Sequence, residues 1–281
     1  MASGSTTPGP AAASDSAARL RDLERRLSRR ARELEAQRDS RCVFTHAYSL
    51  MTRRIAEEAP GSGVDEEWIT DLAEAFAAHY FAALDADEAS LSPAWRRAFE
   101  AMRDKRTSVL EDLVFAMAVH IMHDLPLALG DLSPPEGPEP KHIFDFHAVN
   151  DMMASSIDLI QRATTHRYAP YIGWLDQLGE RFDELLTDYG IRMSRGLAWY
   201  NAIRLADPRS AAKTRESIER SPTIVIDDIV NPSAASLRIL FRLLRWIVSF
   251  LRVWPHPSVQ RGMDLPEPPR SAVEPEKKAS P

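Results

Sequence analysis

The chain has 281 residues, 44 % of them hydrophobic and 27 % charged, enough to bury the core of one large soluble domain. Its formal net charge of −6 offers no basic surface for nucleic acid. Cys42 is the single cysteine, which excludes an intrachain disulfide and a cysteine-rich zinc site and points to a reducing, cytoplasmic setting.

Residues 1–15 are rich in Ser, Ala and Pro, lack the basic start and apolar core of a signal peptide, and are expected to be disordered. A first helix is expected from about Ser16 to Arg41, where Leu20, Leu23, Leu27 and Leu34 form a narrow seam suited to one neighbouring helix. A second carries Phe44, Tyr48, Met51 and Ile55 and stops at Pro60-Gly61-Ser62-Gly63. Asp65 has the chemistry of an N-cap for a third, with Trp68, Leu72, Phe76 and Leu84 inward. Ser92-Pro93 opens a fourth, expected to run on to the proline-rich loop LSPPEGPEPK at 132–141.

Further helices are expected at about 143–165, 170–188 and 190–217. TIVIDDIV at 223–230 is the sole stretch that reads as a strand, so the fold class is all-α: a bundle-like helical domain over 16–232. The stretch 233–254 (SLRILFRLLRWIVSFLRVW and its approach) is read as a basic amphipathic helix, with Arg238, Arg242, Arg245 and Arg252 in one stripe. Three placements stand open for it. It packs on the protein's own core or a second copy, lies in a membrane interface with its arginines toward lipid phosphates, or spans a bilayer at about 2.5–3.5 kcal/mol per buried Arg. Residues 255–281 are expected to be a disordered tail.

The stretch FAMAVHIMHDLPLAL (115–129) raises the chemical question. From Leu113 to Met122 every residue but His120 is apolar, and helices of that kind are buried. A buried imidazole or carboxylate needs a partner. His120 and Asp124 are four apart and share a face, His123 lies beside it, and Pro126 follows to end or kink the helix. A second pair, His147 and Asp151 in HIFDFHAVNDMM, repeats the spacing, with His142 standing in for His147 if that helix begins earlier.

Packed antiparallel, the two helices are expected to bring both pairs into one hollow. Imidazole plus carboxylate is a ligand set for a divalent Zn, Mn or Fe. His120, Asp124, His147 and Asp151 are then metal ligands or acid–base groups, with His120, His123 and Asp124 as the catalytic candidates. Arg162, Arg167 or Arg195 would orient an anionic substrate. The expected activity is that of a metal-assisted hydrolase, lyase or cyclase on a small or lipid-like molecule. Two other readings stay open: a non-catalytic protein that meets a membrane surface, a partner or a second copy, and a metal-free cyclase or isomerase. The plain alternative for His120 and Asp124 is mutual hydrogen bonding within an inert core. Trp95, Trp174 and Trp199 read as core anchors.

Two resemblances bear on these residues. Phe44–Tyr48, HYFAALDA (79–86), PAWRRAFEA (93–101), HIMHDLPLAL (120–129), HAVN (147–150) and RGLAWYNAIRLA (195–206) together resemble DUF5995, an uncharacterised bacterial all-helical family. The resemblance covers about residues 40–206, implies a helical fold and implies no activity; Met122 stands where that family usually has Asn. AVHIMHD followed by HAVND is also similar in order to the zinc-dependent phospholipase C and single-strand nuclease fold. That similarity implies zinc ligation through the two pairs, with His79 and Asp65 as stand-ins for further ligands. Leu129 and Gly130 occupy the place of the family's intervening histidine, and its metal-binding N-terminal Trp has no counterpart.

Overall fold

The computed structural model describes residues 10–103, 107–154, 157–168 and 188–232, and among these the fold is all-helical. Helix α1 (Pro10–Ala36) begins earlier than Ser16 and ends before Arg41. Arg38 takes a left-handed φ of 55° and turns the chain, and Asp39 accepts from the Arg41 backbone N–H. The seam of Leu20, Leu23, Leu27 and Leu34 is buried against α2 (Cys42–Glu58) and α3 (Glu66–Asp85). Asp65 caps α3 as its chemistry predicts, accepting from the Trp68 N–H at 3.0 Å.

The long helix expected from Pro93 is interrupted. Helix α4 (Pro93–Arg103) stops, and α5 (Val109–Val119) starts afresh at a capping box: Ser108 accepts from the Glu111 N–H while Glu111 accepts from the Ser108 N–H. A π turn (His120–Asp124) then leads into α6 (Leu125–Asp131). The run Val109–Asp131 has the length and hydropathy to cross a membrane, but 78 % of its apolar window is buried in the protein, as in a core helix.

Residues 143–165 carry α7 (Ile143–Ala154) and α8 (Ile157–Tyr168). One further expected helix is also divided. Residues 190–217 fall into α9 (Asp188–Ala206) and α10 (Ala211–Val230), parted at Asp207-Pro208. The expected strand at 223–230 is the end of α10. Its β-branched residues obey a helical rhythm, with Ile218, Pro222 and Ile226 buried at four-residue steps while Ile224 is exposed. The helices expected at 170–188 and 233–254, and Trp174, lie outside the described residues.

Two apolar clusters form the core. The larger joins α1, α2, the end of α3, α4 and α5 around Leu27, Phe44, Tyr80, Trp95 and Phe115. The smaller joins the start of α3, α6, α7 and α9 around Leu72, Leu125, Phe146 and Trp199. Trp199 and Trp95 are buried anchors, as expected. The π turn touches α3, α9 and α10, so its polar residues sit at the centre of the bundle.

Candidate active site

A π turn closes i→i+5, and the Leu125 N–H bonds to the His120 carbonyl. It delivers the chain to Pro126 in the first turn of α6, where a missing N–H is harmless. It also places His120, His123 and Asp124 in the interior. Asp124 is the hub. His120 Nδ1 lies 2.9 Å from Oδ2 and His123 Nδ1 lies 2.7 Å from Oδ1. Trp95 Nε1–H, from α4, donates to both oxygens at 3.0 and 3.1 Å. On its far side, His123 Nε2 meets Glu219 Oε1 of α10 at 3.1 Å. Glu219 Oε2 also accepts the Ala94 N–H at the start of α4.

The charges follow from these contacts. Burial alone would raise Asp124, but hydrogen bonds from both imidazoles hold it below its ordinary value, so it is a carboxylate that only accepts. Burial likewise disfavours charge on His123, yet Asp124 and Glu219 outweigh it and push the imidazole up to about 9. His123 is therefore an imidazolium between two carboxylates. For His120, burial prevails over Asp124 and holds the imidazole below its ordinary value. His120 is thus neutral, with its proton on Nδ1 facing Asp124 and a lone pair on Nε2.

That Nε2 has no partner among the described residues. His120 stacks on Phe76, with ring centroids 3.5 Å apart, and lines a cavity of about 130 Å³ between α2, α3, α5 and α9. The wall is almost wholly apolar, with Phe44, Met51, Leu72, Met117, Val149 and Ile191 among its members. Three other polar residues line it, Tyr48, Thr52 and Arg195, and the Thr52 hydroxyl donates to the Tyr48 carbonyl. Tyr48 Oη is also buried without a partner among the described residues, and burial keeps the phenol protonated by raising its pKa. Burial pulls the Arg195 guanidinium down to about 10, still cationic at neutral pH.

The structure corrects the expectation of one four-residue hollow. His147 and Asp151 face outward on α7, because Phe146, Val149 and Asn150 take its inner side. Asp151 is 73 % exposed and pairs with Arg192 of α9 at 2.7 Å, while His147 meets the Asn150 amide. His79 pairs with Asp131 at 2.7 Å, joining α3 to α6. His142 stacks on Trp68, with centroids 4.4 Å apart. Among the described residues no group of three or more His, Cys, Asp or Glu is arranged to hold a metal ion. The expected ligand set of His79, His120, Asp124, His147 and Asp151 for Zn, Mn or Fe therefore does not converge.

Of the three arginines expected near an anionic substrate, Arg195 alone lines the cavity. Arg167 is held by Glu35, and Arg162 faces outward. Sequence reasoning missed Trp95 as a donor to Asp124, Glu219 as the second partner of His123, and Tyr48 as a polar cavity residue. Tyr48 carried a faint signal, a hydroxyl on the buried stripe Phe44–Tyr48–Met51; Glu219 carried none.

Residues 20–232 match a family described as "Family of unknown function (DUF5995)". No curated protein and no solved structure matches the chain.

Proposed function

The chain belongs to the DUF5995 family, and since that membership fixes no chemistry we propose, from the site itself, a metal-free acid–base enzyme acting on a small apolar molecule. His120 Nε2 takes a proton from a carbon next to a carbonyl, and the electron pair of that C–H bond moves onto the carbonyl oxygen. The imidazolium formed is stabilised by Asp124, which also holds the ring and its tautomer. Tyr48 Oη–H donates to the developing enolate oxygen. Where a carbon–carbon double bond is conjugated with the enolate, return of the proton to its far carbon shifts the double bond and completes an isomerisation; departure of a β-substituent with its bonding pair instead completes an elimination.

The observation that carries this reading is a pair of polar atoms, His120 Nε2 and Tyr48 Oη, that have no partner among the described residues and are buried beside a mostly apolar cavity. Orphaned buried groups are expensive, and a site that binds a polarised ligand explains why they persist. Proton transfer is favoured over hydrolysis because an apolar cavity holds water poorly.

Acetophenone and cyclohexanone incubated with the protein in D2O test the reading through loss of the α-proton NMR signal. Exchange is expected to exceed the buffer rate in the native protein. His120→Gln should return it to background, and Asp124→Asn should slow it by roughly 10²-fold or more. Native protein no faster than buffer, or His120→Gln as fast as native, overturns it.

A further inference from the structure

We infer that the molecule received by this cavity is a small apolar carboxylate, of roughly benzoate or hexanoate size, whose acid group is held by Arg195. This rests on the acid–base reading for the site's chemistry but not for its binding. Arg195 is 4 % exposed on α9. A guanidinium has five N–H donors in a fixed fork. Nε donates to Asn150 Oδ1 and Nη2 to the Phe146 carbonyl at 3.3 Å, and the group lies over the Phe146 ring at 4.3 Å. Neither polar partner is charged, and among the described residues no carboxylate pairs with Arg195.

Elsewhere the same protein neutralises a half-buried arginine with a carboxylate. Arg167 meets both oxygens of Glu35, at 2.6 and 2.8 Å. A buried cation left without an anion is costly, and a ligand carboxylate is the missing partner. Asn150 and the Phe146 carbonyl fix the plane of the fork, and among the described residues Nη1 has no hydrogen-bond partner, which leaves its N–H groups for a ligand oxygen. Asn150 is thus a positioning residue.

The rest of the ligand follows from the wall. About 130 Å³ is close to the engineered cavity of about 150 Å³ that takes benzene, so a ring or a short chain fills it. The apolar lining has no group for a second charge. One arginine matches the single charge of a carboxylate and not the charge of about −1.5 to −2 on a phosphate ester.

Calorimetric titration at pH 7 with benzoate and benzyl alcohol, and with hexanoate and 1-hexanol, tests the inference. The native protein is expected to prefer each acid at least tenfold over its alcohol. Arg195→Met should abolish that preference, Arg195→Gln serving if the methionine variant loses its helical circular dichroism. His120→Gln should keep it. Equal affinity for acid and alcohol in the native protein overturns the inference, as does a tenfold preference surviving in a folded Arg195 variant or tighter binding of phenyl phosphate than of benzoate. Acid preference without ketone exchange would sink the acid–base reading alone; exchange without acid preference would sink this one alone.

Discussion

The pairs His120–Asp124 and His147–Asp151 share one spacing and lie on neighbouring stretches of helical chain, yet the protein uses them in opposite ways. The first lies in a run that is apolar on every side, so both groups are buried and must be satisfied by each other, by Trp95 and by His123. The second lies on a helix whose inner positions are taken by Phe146, Val149 and Asn150, so both groups reach solvent. Spacing sets which residues are neighbours on a helix, and the surrounding sequence sets whether that face is inside. The same imidazole and carboxylate therefore form a low-dielectric network in one place and a screened surface arrangement in the other.

The sharpest way to break the comparison is to remove the carboxylate from each pair. Asp124→Ala leaves the His123 imidazolium and two ring donors without their shared acceptor. It is expected to lower the unfolding free energy by about 3–5 kcal/mol in urea titration. A loss below about 1 kcal/mol would mean that the network contributes little.

The next effect is on pH. His123 titrates near its ordinary value of 6.5 when unfolded and at about 9 when folded. Its contribution is complete below pH 6.5 and is lost as the pH rises toward 9, by roughly 3 kcal/mol in all. Asp124 and Glu219, both held below their ordinary values, act in the reverse sense: their contribution is present at neutral pH and fades on acidification. Unfolding followed from pH 5 to 10 should show the alkaline decline, and His123→Gln should flatten it.

Glu219→Gln keeps an oxygen for the Ala94 N–H but removes the second anion beside His123, with an expected cost of about 1–2 kcal/mol and an earlier alkaline decline. Smallest of all is Asp151→Ala, the matching cut in the second pair, which should change stability by less than about 1 kcal/mol and leave ketone exchange untouched. A cost equal to that of Asp124→Ala would erase the distinction between the pairs.

Much of the fold was legible because it depends on local chemistry. Asp65 as a cap, Pro93 in a first turn and the leucine seam of α1 each act within a few residues. Local signals were also overlooked: Ser108-x-x-Glu111 is a capping box in plain view and marks the break inside the long helix expected from Pro93. The β-branched residues of 223–230 suggested a strand by composition, whereas their four-residue burial step is that of a helix. Half of the site was legible too, since His120 and Asp124 are the polar exceptions in an apolar run.

What the sequence determined by itself is that helices form and that His120 and Asp124 go inside, because capping and apolar periodicity operate over one or two turns. Tertiary packing decided that Glu219 meets His123 from 96 positions away, that Tyr48 and Arg195 share a wall with His120, and that His147 does not. Those meetings depend on how whole helices cross, and an imidazole's own neighbours in sequence carry no record of what faces it across a cavity.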